Sequence, residues 1–470
     1  KMAQPASSAI AARLLQDQFA AGLRLTKDLC LGANERARTG RNALTAFLVR
    51  IVSAGILYLT QVALARWMGA YDYGIYVFVW TWVLVLGNLS NLGLSTAVLR
   101  LIPQHRERQE QAALRGLMLG GRLVVLSVAM SMALMGLALL WLAGESLGGH
   151  YALPAYLALI CIPIVTLTDF QDGIARARGL MAVGLLPPYV LRPLLLLACL
   201  SAAHASGWAV NAQTAVGAAI VACLAAAIVQ TLLLRHYWQR ELPPGPRCYA
   251  LGHWLRTALP FWLILACDLT LQNADVLVIS TCVGPAEVGM YFAAAKTMSL
   301  VLFIPYAVGS AMANKIATLQ LRGEAEQLRT AIADAANWIF WPSLVGTLVI
   351  LLAGRSMLAL FNPGFVEAYP VMCILAIGLI LRAALGPADV VLNMLGEQSI
   401  CARILVVSAA LSVALSLALV PLFGMLGAAT ATSFALLAAS AAHSLVAWRR
   451  LNLKTAIWGN LRNRARAQPS

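Results

Sequence analysis

Twelve apolar runs of about 20 residues recur along this chain, near 44–66, 75–99, 116–143, 152–170, 181–204, 213–235, 257–282, 287–312, 337–354, 369–394, 401–420 and 425–447. A helix of that length crosses the ~30 Å hydrocarbon core of a bilayer. No water meets an unpaired backbone N–H or C=O in lipid, so such a chain is confined to helices or a closed barrel. Unbroken runs, rather than alternating segments of about ten residues, select helices. Of the 470 residues 61% are hydrophobic and 11% charged, whereas a soluble domain carries about 25% charged residues. The expected fold class is an all-α polytopic membrane protein with about twelve transmembrane helices.

Charge placement predicts how the chain threads. With the N-terminus inside, the inner segments hold Arg36, Arg38 and Arg41; Arg100, Arg106, Arg108 and Arg115; Arg176 and Arg178; Arg235, Arg240 and Arg247; Lys315, Arg322 and Arg329; and the tail from Arg449 to Arg466. The outer loops hold little that is basic beyond Arg66 and Arg355. A shift by one helix inverts this asymmetry, and basic loops mark the cytoplasmic side. The expectation is a multi-pass protein of the inner (cytoplasmic) membrane with both termini cytoplasmic. The net charge of +15 then needs no nucleic-acid partner.

The expected segments are a basic N-terminal stretch (1–42), a six-helix bundle (43–235), a cytoplasmic linker with "ELPPGPR" (236–256), a second six-helix bundle (257–448) and a basic tail (449–470). About 40 residues precede the first apolar run, so no cleavable signal is expected. Within them, tract 9–29 reads either as an interfacial amphipathic helix or as a frayed tail. The nine cysteines show no C-x-x-C and the six histidines are scattered, so neither disulfides, metal nor cofactor is expected. A nucleotide-driven pump is disfavoured, because the chain has no G-x-x-x-x-G-K-[ST].

An internal repeat is the most informative pattern. "GAYDYGIY" (residues 69–76) and "GPAEVGMY" (residues 284–291) both read G-x-x-[DE]-x-G-x-Y, about 215 positions apart. Gly69, Gly74, Gly284 and Gly289 suit a tight turn, the acid suits the start of the following helix, and Tyr76 and Tyr291 suit an interfacial belt. "GAA" opens spans six and twelve, and Gly179 pairs with Gly396. Six helices per half give both halves the same orientation, so the bundles form a parallel repeat and a substrate site belongs between them.

Residues 50–83 ("RIVSAGILYLTQVALARWMGAYDYGIYVFVWTWV"), 275–296 ("DVLVISTCVGPAEVGMYFAAAK") and 360–398 ("LFNPGFVEAYPVMCILAIGLILRAALGPADVVLNMLGEQ") resemble the polysaccharide biosynthesis/export branch of the multidrug/oligosaccharidyl-lipid/polysaccharide (MOP) flippase superfamily. The resemblance covers nearly the whole chain in helix count and order. It implies two V-shaped bundles around a cavity that move a lipid-linked oligosaccharide across the inner membrane by alternating access. Peptidoglycan-precursor members usually carry fourteen spans. Twelve points to flippases of O-units or exopolysaccharide repeats, with polysaccharide polymerase and export proteins as implied partners.

Ionisable residues inside a span are costly and mark candidate sites. Arg192 lies in the middle of span five, where Pro187, Pro188 and Pro193 are expected to break or bend the helix. Arg382 lies in span ten, Lys296 in span eight and Arg50 in span one. Four cations around one cavity suit a diphosphate. For Arg50 snorkelling to the surface is the competing reading, and for Lys296 a salt bridge with Asp275. Asp268, Gln272 and Asp275 make one polar stripe on span seven, and Arg382 and Asp389 share a face of span ten. Asp268 is the candidate for ion coupling, and charge pairing is the reading for Asp275. Trp80, Trp82, Tyr151, Tyr156, Trp338 and Trp341 either stack on sugars or face lipid, and Gln61, Asn88 and Asn91 either line the cavity or bond between helices. Positive central charge favours a flippase for an undecaprenyl-diphosphate-linked oligosaccharide over an ion-coupled multidrug exporter of cations or amphiphiles. No outer loop is long enough for a glycan polymerase or ligase.

Overall fold

The computed structural model describes residues 35–143, 149–241 and 243–457; tract 9–29 and the end of the basic tail lie outside them. The first element, α1 (Glu35–Ser90), has 56 residues, about 84 Å if straight. It cannot be one crossing. Its backbone leaves the helix at Gly69 (φ 76°, ψ 172°), and the Tyr73 hydroxyl donates to Gln61 Oε1 at 2.9 Å. A straight helix would hold those two residues about 18 Å apart, so the chain doubles back and α1 supplies spans one and two. The last helix, α15 (Gln398–Leu451), turns at Gly424 (φ 55°, ψ −130°). A Cβ on Gly427 would stand 2.2 Å from the Leu419 carbonyl oxygen, so spans eleven and twelve also fold together.

Between these lie α2 (Leu94–Glu107), which completes span two, and α3 (Gln111–Ala143), span three. Span four is α4 (Gly149–Leu159) followed by α5 (Cys161–Ala177) across a 42° bend. Span five joins α6 (Met181–Leu186) to α7 (Arg192–Ala205) through a π turn, Pro187–Leu191. Then come α8 (Ala212–Glu241), α9 (Leu251–Cys282), α10 (Pro285–Ser299) with α11 (Phe303–Leu321), α12 (Ala325–Phe361), and α13 (Tyr369–Ala384) with α14 (Ala388–Met394). With both long helices folded and the bent pair counted once, the described residues make twelve crossings in two bundles, the parallel-repeat fold class expected.

The two lobes meet where spans two and eight begin, at the far end from the start of α1. Gly74 and Gly289 occupy the same position in the two repeats and face each other. A Cβ on Gly74 would lie 1.7 Å from the Pro285 carbonyl oxygen, and one on Gly289 2.8 Å from that of Ala70. These contacts are reciprocal, because Pro285 and Ala70 are also repeat partners. Glycine here serves close approach rather than turning. The turn itself needs glycine only at Gly69, since Gly284 has an ordinary φ of −69°.

Other expectations for the motif change. Tyr76 and Tyr291 are buried at 2% and 0% exposure, inside the bundle and not in an interfacial belt. The acids serve the sixth helix of each lobe as well as their own. Asp72 Oδ1 accepts the Ala212 N–H at 3.2 Å, at the start of span six. Glu287 lies against Gly424, where span twelve begins.

Residues 243–250 run along span three at the near end, where α1 begins. Arg115 donates from Nε to the Pro243 carbonyl at 2.9 Å and from Nη1 to that of Pro246 at 3.1 Å. Span seven starts before the expected boundary at 257, and Trp254 and Ala258 enter a core with Leu94, Val98 and Phe170 of the first lobe. Span ten is interrupted at Gly386 (φ 74°), so Arg382 and Asp389 belong to separate helices and do not share a face. After α15, Thr455 is buried, with its carbonyl oxygen against Gly386; the basic tail begins as a packed segment.

These glycines are not equivalent. Gly74→Val and Gly289→Val must separate two backbones and are expected to cost about 1–3 kcal/mol each. Gly284→Ala meets open space and is expected to stay within ~0.5 kcal/mol of the parent. Thermal unfolding in detergent ranks them, and equal losses at all three positions would contradict this packing.

Candidate functional site

Pro187 and Pro188 carry no backbone N–H, and a regular α-helix through them would lose bonds and clash. The chain absorbs them by widening one turn. The Arg192 N–H bonds the Pro187 carbonyl, five residues back, so the expected break in span five is a π turn, a feature that recurs at functional sites. Arg192 follows it directly. Its guanidinium lies 5.6 Å from the centre of the Trp80 ring, and Trp80 stacks on Tyr76 at 6.0 Å. Together with Thr60, Gln61 and Cys223 they line a narrow, partly open recess with room for a few waters. Helices of spans one, two, five and six build it, all within the first lobe. A cation, an aromatic face and a side-chain amide in one recess can meet an oxyanion at its mouth.

The second lobe repeats the frame with other chemistry. Thr60 corresponds to Asp275 and Tyr76 to Tyr291 by the 215-residue offset. Asp275 is 7% exposed. Its Oδ2 accepts from the Tyr291 hydroxyl at 2.5 Å and from Thr432 Oγ1 at 3.2 Å. Its Oδ1 accepts the Val276 N–H at 2.8 Å. The expected salt bridge with Lys296 is not formed within ion-pair distance among the described residues. Neutral donors on spans seven, eight and twelve satisfy the carboxylate instead, while the Lys296 ammonium lies 4.9 Å from the centre of the Phe292 ring.

The remaining candidates are spread out. None of Arg50, Lys296 and Arg382 lines the Arg192 recess. Arg50 crosses the seam between the lobes, 5.1 Å from the Tyr306 ring centre; two turns further along span one, Tyr58 bonds Thr297 across the same seam. Asp268 accepts from Gln272 at 2.7 Å and is an electrostatic neighbour of Arg382. Asp389, exposed in the first turn of α14, is an electrostatic neighbour of His443. Among the aromatics, Trp82, Trp338 and Trp341 present exposed faces; Trp80 is the one that joins the recess.

Two acids are absent from the sequence candidates, Asp169 inside the expected span four and Asp172 beyond its end at residue 170. The helix continues to Ala177 and carries Asp169 and Asp172 inward. Asp169 Oδ2 accepts from Asn91 at 2.6 Å, and Asn91 Oδ1 accepts the Ser95 N–H at 3.0 Å, capping α2 after the break in span two. Asp172 pairs with Arg176 at 3.1 Å. Their i, i+3 spacing in "TDFQD" is the signal that a longer helix would have revealed.

A fold of two six-helix lobes of long apolar helices defines a multi-pass membrane protein. A family profile described as "Polysaccharide biosynthesis protein" matches residues 39–312, more than half of the chain, and the chain belongs to that family. No curated protein matches it. Solved structures share the fold. An inward-facing multidrug resistance MATE family transporter of the MOP superfamily is 17% identical, with 88% of this chain and 99% of that one covered and a TM-score of 0.69. The lipid II flippase MurJ in an inward closed conformation is 12% identical, with 86% and 87% covered and a TM-score of 0.63. A MOP superfamily transporter from Pyrococcus furiosus, described as having a binding pocket of reverse polarity that suggests a different function, is 15% identical, with 94% and 98% covered and a TM-score of 0.61.

Tyr291→Phe removes the closest donor to a buried carboxylate and is expected to cost about 1–3 kcal/mol. Tyr76→Phe, with Thr60 in the place of that carboxylate, is expected to cost less. Paired melting curves test the ranking, and equal losses would contradict the asymmetry described between the lobes.

Proposed function

We propose that the chain translocates an undecaprenyl-diphosphate-linked oligosaccharide repeat unit across the cytoplasmic membrane by alternating access, for cell-surface polysaccharide synthesis. The observation that carries this reading is Arg192, held in a recess with Trp80, Tyr76 and Gln61. A guanidinium matches phosphate oxygens, and stacked aromatics with an amide suit a sugar. Family membership supports the polysaccharide substrate class, and the near end is taken as cytoplasmic from its arginines. In this reading Arg192 is the first anchor for the diphosphate, while Arg50 and Lys296 stand along the seam between spans one and eight. The lobes rock about the Gly74–Gly289 contact. No covalent step is involved, so the chain acts as a transporter and not as an enzyme.

A second reading has its own observation. Asp268 and Asp275 on span seven are carboxylates within the bilayer, and a carboxylate there suits exchange of a proton or cation. They serve either to couple the flippase to an ion gradient or to bind cations in a multidrug exporter.

Transbilayer movement of a fluorescent undecaprenyl-diphosphate oligosaccharide in proteoliposomes separates the two. Wild type is expected to move it, and Arg192→Ala to slow it at least tenfold with its melting temperature retained. Efflux of a cationic dye driven by an ion gradient and abolished by Asp268→Asn, with no lipid movement, would overturn the flippase reading.

A further inference from the structure

Outside the central region the first lobe holds a cationic cluster that the proposed transport does not use. Arg122 of span three and Arg178 at the end of span four place their guanidinium carbons 5.6 and 5.2 Å from the centre of the Trp238 ring of span six. Two cations on one indole repel each other. The Arg122 nitrogens Nε and Nη2 are buried without a hydrogen-bond partner. These two nitrogens form one edge of the guanidinium, the edge that takes two oxygens of a single oxyanion side by side. Unmade buried donors of a charged group are costly, so this edge is built for something the chain itself does not supply.

An apolar groove leads away from the cluster along the same three helices. Leu126, Leu167, Leu224, Ile228, Thr231 and Leu232 are among the side chains lining this open volume of about 670 Å³. Leu126 lies one turn beyond Arg122, Leu167 three turns before Arg178, and Thr231 two turns before Trp238, each on the face of its partner. The Thr231 hydroxyl is already bonded to the Ala227 carbonyl and to Gln171, which leaves the groove apolar. Head and tail sites are therefore collinear.

The geometry points to a binding site for an anionic phospholipid on the outer surface of the first lobe, its phosphodiester on Arg122 and Arg178 and one acyl chain in the groove between spans three, four and six. Two non-bridging phosphodiester oxygens match the two free N–H groups of the Arg122 edge. The unpartnered Arg122 edge favours a lipid of net negative charge over a zwitterion. The site lies at the near end, at head-group depth, and ties spans four and six to the surrounding leaflet. It does not depend on what the central cavity carries.

Native mass spectrometry of the delipidated full chain, titrated with phosphatidylglycerol, phosphatidylcholine or undecaprenyl phosphate, tests it. Phosphatidylglycerol is expected to bind at least about tenfold more tightly than phosphatidylcholine. Arg122→Gln is expected to lose that preference, a tenfold weakening being the scale of one charge-assisted fork. Ile228→Trp fills the groove, leaves the cations in place and is expected to weaken both lipids. Arg329→Gln, at another basic position, is expected to bind as wild type does and controls for loss of charge alone. Wild-type binding by both Arg122→Gln and Ile228→Trp would overturn the site. Tighter binding of undecaprenyl phosphate through the same residues would overturn the phospholipid assignment.

Discussion

The approach of two backbones at Gly74 and Gly289 is the contact on which the arrangement of the lobes depends. In a bilayer, helix association draws little on hydrophobic burial, because lipid tails are as apolar as leucine. Close packing has to do the work, and a residue without a Cβ permits the closest packing. The contact is reciprocal between repeat positions, so each lobe offers the other the same surface. Tyr73 packs its ring on Phe292 and Phe365 beside it, and the same face that joins the lobes also carries the aromatic lining of span two.

A symmetric frame carries asymmetric chemistry. Position 60 is threonine and its counterpart 275 is aspartate, although Tyr76 and Tyr291 are kept. In the first lobe the neighbouring helix brings a cation, Arg192, against Trp80. In the second lobe Thr432 and Tyr291 surround a carboxylate. Duplication thus supplies two equivalent frames, and substitution at a few positions gives one a guanidinium beside an aromatic face and the other a buried carboxylate.

Irregular backbone concentrates where groups must be aimed. The π turn at Pro187–Leu191 presents Arg192, and the break before α2 is held by Asn91 and Asp169. Gly93, in the left-handed region at φ 74°, would place a Cβ 2.5 Å from the Ala258 carbonyl oxygen and 2.6 Å from the Trp262 nitrogen. Trp262 donates its ring N–H to the Leu89 carbonyl at 2.9 Å, which satisfies a carbonyl at that break. Freed backbone groups are tolerated within a membrane only where protein or a wet cavity meets them. Here protein does.

The helical class, the twelve crossings and the duplication were legible in the sequence, because apolar run length and a recurring turn motif are local properties set by bilayer thickness and backbone sterics. Arg192 was legible as a mid-span cation beside prolines. The partners of each charge were not. Asp275 pairs with Tyr291 and Thr432 rather than Lys296, since side-chain direction on adjoining helices decides between candidates at matching depth. Arg382 and Asp389 lost their shared face to a single glycine turn, and Asp172 entered the lobe because span four ran seven residues longer than its apolar stretch. The apolar pattern of a chain says how deep a residue lies, since depth follows from distance along one helix. Which neighbour it meets depends on the rotation and packing of at least two helices, and that is settled only when the bundles close.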